Sequence, residues 1–191
     1  MKIDHIYVIN LRSEVQDIVD RLNGLNLPKP TDYTIVEAVN GRNLVSNTNN
    51  ESVPYKWKAS DWWKIDGHSN DWWAREINAS EVGSTISHYN CWLDAKKKAY
   101  QSVLILEEDF ICKENVWPTD LNLLPSDWEF MYMGRMKNNN TIDTPYKNSI
   151  VKPGYSYNTH AYLISASGIE KAINTNPNLD IIPADELIVG F

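Results

Sequence analysis

The chain has 191 residues, 23% of them charged and 42% hydrophobic, with a net charge of −7 from 18 Lys plus Arg against 25 Asp plus Glu. This composition excludes a disordered chain and argues against nucleic acid as the main partner, because phosphate binding needs a basic face. No stretch reaches the length of a membrane span, Asp4 and Asn10 interrupt any signal-peptide pattern, and Cys91 with Cys112 makes no disulfide framework. A single α/β domain over 1–191 in a reducing, cytoplasmic setting is therefore expected.

In chain order, residues 6–11 (I-Y-V-I-N-L) read as a buried strand. A helix is predicted from Ser13, with Gln16 as its capping-box partner and Gly24 as its stop. Val15, Ile18, Val19, Leu22 and Leu25 recur at helical spacing and would pack that helix on a sheet. Residues 33–36 form a second strand leading into A-V-N-G-R, so the amino terminus reads as a βαβ unit with a parallel sheet. Residues 43–60 are polar and begin an insertion that extends to about residue 78. Within it, Asp61-Trp62-Trp63 recurs as Asp71-Trp72-Trp73, preceded by Trp57. These rings suit either a sugar-stacking acceptor surface or a satellite core that anchors the insertion. Asp66, His68 and Asp71 have metal-ligating side chains but read more simply as a polar loop.

A helix is predicted over 79–100, with Asn78 and Glu81 as cap and partner and Val82, Ile86, Tyr89, Leu93 and Tyr100 on one face. Gly83 inside it suggests close approach of backbone or ligand. Residues 103–106 (V-L-I-L) then form a strand buried on both faces, and Glu107, Glu108 and Asp109 follow at once. Buried charge without compensation is costly, so these carboxylates belong where the strand emerges, at the edge where open α/β sheets bind ligands. Oxygen ligands packed this closely suit Mg²⁺ or Mn²⁺, unless the segment is only a solvated acidic turn. Residues 128–133 and 160–165 are further strands, and a short helix capped by Ser167 with Glu170 follows the second. Near the end, Pro183-Ala184-Asp185-Glu186-Leu187 sets a second acidic pair among apolar residues. One carboxylate cluster can hold a metal while the other serves as a general base.

The motifs I-Y-V-I-N-L, A-V-N-G, E-V-G-S-T-I-S-H, L-I-L-E-E-D, A-Y-L-I-S-A-S-G and P-A-D-E-L, in this order, resemble glycosyltransferase family 25. That family includes lipopolysaccharide galactosyltransferases and collagen galactosyltransferases. Ser84 stands where the family usually has Cys, Ser80 where it often has Gly, and Glu108 where Asp is more usual; the chain also stops sooner after Asp185-Glu186 than many members do. The resemblance implies a GT-A fold, a Rossmann-like sheet that uses a nucleoside diphosphate sugar, commonly UDP-galactose or UDP-glucose, with inversion. It implies that Glu107 and Asp109 hold Mn²⁺ or Mg²⁺, and that Asn10, Leu11, Arg12, Asn40, Gly41, Ser87, His88, Glu107 and Glu108 border the donor nucleotide. Asp185 or Glu186 would be the base toward the hydroxyl of a glycan or protein acceptor, with Trp62, Trp63, Trp72 and Trp73 as candidate acceptor contacts. The alternative is a catalytically silent carbohydrate-binding module of the same fold.

Overall fold

Ile6, Tyr7, Val8 and Ile9 are apolar on both sides of their strand, and in the computed structural model both sides are covered. The structure describes residues 2–25, 32–46, 77–111, 124–137, 143–147, 150–177 and 181–188. The five tryptophans of the insertion, Asp66, His68, Asp71 and Cys112 lie outside these residues.

Strand β1 (His5–Asn10) pairs in parallel with β2 (Asp32–Glu37) and with β3 (Ser102–Glu107). The central sheet has the order β2-β1-β3-β7-β4, with β4 at Phe130–Lys137 and β7 at Ser156–Ser165. β7 runs antiparallel to both of its neighbours while the other four strands share one direction, so the sheet is mostly parallel, as predicted, with one reversed strand. The cause is the connection. β4 reaches β7 through a small antiparallel pair, β5 (Thr144–Lys147) and β6 (Ile150–Lys152), and a parallel return would have needed a crossover.

Alternation along the strands divides the core. Ile6, Val8, Leu104, Leu106 and Leu163 face α1 (Val15–Asn23), which buries Ile18 and Leu22 against them. Tyr7, Ile9, Val103, Ile105, Tyr162 and Ile164 face the other way, onto α3 (Ala79–Lys97), α4 (Ala166–Asn174) and α5 (Ala184–Ile188).

Several helix ends differ from expectation. α1 starts at Val15 with Glu14 at its N-cap and no side-chain cap. The expected capping box at Ser13 is absent because the Ser13 N–H donates instead to Asn10 Oδ1 at 2.9 Å, while Gln16 bonds Asp20 at 2.8 Å. α4 is capped by Ser165, whose Oγ accepts from the Gly168 N–H at 3.2 Å. Ser165 is the last extended residue, as an N-cap must be, whereas Ser167 is already helical and Glu170 pairs with Lys96 at 2.7 Å. Residues 41–46, expected to run into a polar loop, form the short helix α2 (Gly41–Ser46).

The capping box of α3 is as predicted: Asn78 Oδ1 accepts from Glu81 N at 3.0 Å, and Glu81 Oε2 accepts from Asn78 N at 2.9 Å. Its single apolar stripe is not. Leu93 is 40% exposed and Tyr100 lies past the helix end, while Thr85, Ser87 and His88 are buried beside Tyr89 and Trp92. α3 is enclosed by the sheet, α2, α4 and α5, so its polar residues are buried with partners of their own. Gly83 is where α3 meets the 39–41 backbone: a Cβ there would overlap the Val39 carbonyl oxygen and lie 2.7 Å from Gly41 N.

Candidate functional site

Two clefts adjoin at the carboxyl edge of β1 and β3. The first, of about 260 Å³, is lined by Leu11, Arg12, Asn40, Gly41, Arg42 and Glu108 among others. The second, of about 610 Å³, is lined by Glu81, Ile111, Asn158, Thr159, His160 and Asp185 among others. Ser80, Ser84, Glu107 and Asp109 line both. The acidic end of β3 thus forms the seam between them.

Glu108 holds the floor of the first cleft. Its Oε2 accepts the backbone N–H groups of Leu11, Arg12 and Ser13 at 2.7, 2.6 and 2.9 Å. Burial raises its pKa, but these three donors outweigh burial and hold the carboxyl below the usual Glu range. Arg21 adds a bond to the Glu108 carbonyl at 2.7 Å, so the β1–α1 loop is tied to the end of β3. Asn10 lines neither cleft; its side chain closes the loop through Ser13, donating to the carbonyl at 3.0 Å. Ser87 fixes the opposite wall. Its Oγ donates to the Gly83 carbonyl at 2.7 Å and accepts from Val39 N at 2.8 Å. Sequence reasoning put Asn10, Ser87 and Glu108 beside a nucleotide; Ser87 and Glu108 line the first cleft, while the Asn10 amide, Ser87 Oγ and Glu108 Oε2 are bonded to the backbone that shapes it.

Glu107 sits at the seam with its Oε1 3.1 Å from His88 Nε2 and 3.4 Å from Thr159 Oγ1. Burial pushes its pKa up, yet the His88 hydrogen bond, nearby His160 and Thr159 together hold it below the ordinary Glu value. Glu107 therefore stays a carboxylate. Among the described residues no group of three His, Cys, Asp or Glu side chains could hold a metal ion alone. Glu107 and Asp109 fit the other common mode, in which Mg²⁺ or Mn²⁺ takes one or two carboxylates and fills its shell with water and substrate phosphates.

The second cleft is built by an irregularity in β7. Between the pairs Gly134–Ala161 and Met136–Tyr157, β7 carries more residues than β4, and Asn158 takes a left-handed φ of 71°. Such bulges redirect side chains near sites. Here the bulge brings Asn158, Thr159 and His160 to the cleft, and Gly134 makes room, since a Cβ there would overlap the His160 ring. The Asn158 N–H reaches Asp185 Oδ2 at 3.3 Å.

Asp185 and Glu186, both predicted as the base, differ in placement. Asp185 lines the cleft, and burial raises its pKa above the usual Asp range. Glu186 is 2% exposed and accepts a short hydrogen bond from the Tyr155 hydroxyl. Of the residues singled out in the sequence, Leu11, Arg12, Asn40, Gly41, His88, Glu107 and Asp109 line the first cleft. Ser80, Ser84, Asn158, Thr159 and His160 were missed. A β-bulge leaves little mark in sequence beyond an Asn able to take positive φ, and residues 156–160 resemble ordinary strand.

This chain belongs to glycosyltransferase family 25: the profile described as "Glycosyltransferase family 25 (LPS biosynthesis protein)" matches residues 3–188. It is similar to procollagen galactosyltransferase 1-B of Xenopus laevis, at 27% identity over 98% of this chain and 31% of that protein. It is similar to procollagen galactosyltransferase 2 of Homo sapiens, at 28% identity over 98% of this chain and 30% of that protein. A probable inactive glycosyltransferase 25 family member 3 of Rattus norvegicus is 28% identical over 98% of this chain and 33% of its own length. The chain spans about a third of the length of these curated relatives.

Proposed function

We propose that the chain is a metal-dependent, inverting hexosyltransferase of GT-A type that moves galactose or glucose from a UDP-sugar to a hydroxyl of a glycan or protein. The observation that carries this reading is the seam. Glu107 and Asp109 line both clefts, with Arg12, Asn40 and Gly41 on one side and Asp185 on the other. In this reading the first cleft takes the nucleoside diphosphate, with Arg12 contributing charge toward a phosphate. Glu107 and Asp109 would hold Mn²⁺ or Mg²⁺, which supplies charge neutralisation for the departing diphosphate. Asp185 takes the proton of the acceptor hydroxyl while the hydroxyl oxygen bonds to the anomeric carbon. The bond from that carbon to the diphosphate oxygen breaks on the opposite face, and the nucleoside diphosphate leaves with the bonding pair.

Calorimetric titration with UDP-galactose and UDP-glucose, with and without Mn²⁺, tests this on the wild type and on Asp109→Asn. Metal-dependent binding that the substitution abolishes, followed by transfer in the wild type, is expected. The rat relative named as a probable inactive family member supports one rival, a catalytically silent carbohydrate-binding module of the same fold. Binding with no hydrolysis or transfer would count against the enzyme, and no UDP-sugar binding in either condition would remove the transferase reading and leave the carbohydrate-binding module in first place.

A further inference from the structure

His88 is 0% exposed although it lines the first cleft, so it is poorly placed to touch a ligand. What it touches is a chain of polar groups running out of the core. Trp92 Nε1 lies 3.0 Å from Tyr162 Oη, and an indole N–H can only donate. The Tyr162 oxygen is therefore an acceptor there, and its own hydrogen needs another partner. Tyr162 is fully buried, and His88 Nδ1 is 2.9 Å away. If Nδ1 carried a proton, the hydroxyl hydrogen of Tyr162 would be stranded in the core without an acceptor, which is costly for a buried donor. Nδ1 therefore accepts, the ring proton sits on Nε2, and Nε2–H donates to Glu107 Oε1 at 3.1 Å.

We infer that His88 is a positioning residue for Glu107: Trp92 and Tyr162 fix its Nε2–H tautomer, and that N–H with Thr159 pins Oε1 so that Oε2 is presented at the seam. Oε2 makes no hydrogen bond among the described residues, and the Glu107 side chain is 34% exposed. One oxygen is tied to the protein and the other is left for a ligand. Partners of this kind orient carboxylates at metal sites, and their loss typically weakens metal affinity about 10–100-fold. The inference rests on the metal reading proposed above. It also moves His88 from donor contact to support of the carboxylate.

Mn²⁺ affinity followed by electron paramagnetic resonance, alone and with UDP, tests it on the wild type and on Tyr162→Phe, His88→Gln and His88→Ala. Tyr162→Phe touches neither cleft carboxylate, yet a roughly tenfold weaker Mn²⁺ affinity is expected with the thermal transition still cooperative. His88→Gln keeps a donor toward Glu107 and is expected to hold Mn²⁺ better than His88→Ala. Nitrogen-15 spectra, assigned against His88→Gln, are expected to show His88 with its proton on Nε2 even without metal. A proton on Nδ1, or Mn²⁺ affinity unchanged in folded Tyr162→Phe and His88→Ala, overturns the inference while leaving the metal reading standing. A wild type that takes up no Mn²⁺ under either condition overturns both.

Discussion

Asp185 and Glu186 are adjacent in sequence and opposite in environment. The acidic pair was legible because two carboxylates framed by apolar residues need a reason to be there. Which of the two meets the cleft was not, because that depends on Tyr155, a distant residue whose hydroxyl engages Glu186. Burial is the largest influence on Asp185 and raises its pKa, and the negative charge of Glu81 adds to it. Only the carboxylate form accepts a proton. The transfer rate should therefore fall as pH drops through an apparent pKa above the ordinary 3.8, approaching tenfold per unit on the acid side. Asp185→Asn is expected to lower kcat by about 10²–10⁴-fold with donor KM little changed. Glu186→Gln is expected to cost stability first. Rate-against-pH curves on both variants decide it; full activity in Asp185→Asn would move the base elsewhere.

At the scale of elements, the start of α3 was legible from Asn78 and Glu81, because a capping box is local chemistry, while the helix ends at Lys97, short of the predicted 100. Its buried face was not legible, since that depends on which elements surround it. Thr85 reaches the Ile182 carbonyl at 2.8 Å, Ser87 reaches the 39–41 segment, and His88 reaches β7 and β3. α3 thus connects both clefts, and Gly83 allows the 39–41 backbone to lie against it. Gly83→Ala would gain about 1 kcal/mol of helix propensity. Against that, the new methyl meets backbone atoms of Val39 and Gly41, which cannot rotate aside, and overpacking typically costs about 1–3 kcal/mol. A net loss is expected, lowering Tm by about 2–4 °C per kcal/mol in a domain of this size. Because Val39, Asn40 and Gly41 line the first cleft, nucleotide affinity should fall with it. A Tm equal to or above wild type would mean that the contact relaxes at little cost.

Across the whole molecule the two ends of the sheet do different work. The core strands were legible as apolar runs, and the carboxyl end of β3 announced itself by its acids. The reversed direction of β7 was not legible, because strand direction follows from how the connection packs. At the amino end, His5, Tyr7, Asp94 and Tyr100 close the structure with no cleft carboxylate among them. His5 stacks on Tyr100 at 5.1 Å and bonds Thr34 Oγ1 at 2.8 Å, while Tyr7 donates to Asp94 at 2.6 Å. Burial lowers the His5 pKa below 6.5, and the Lys98 ammonium lowers it further, against weaker opposing effects of Asp32 and Asp94. The unfolded chain therefore takes up a proton at His5 before the folded one does. His5 contributes its full stability above about pH 6.5, and that contribution shrinks as pH falls from there toward the depressed folded value. The slope from this one group cannot exceed about 1.4 kcal/mol per pH unit. Urea unfolding of wild type and His5→Gln at pH 8, 6 and 5 isolates it, since groups common to both cancel in the difference. The variant should be the less stable at pH 8, and the gap should narrow as pH falls. A gap that stays constant with pH would show that His5 keeps an ordinary affinity for protons inside the fold, and that the amino end is open to water there.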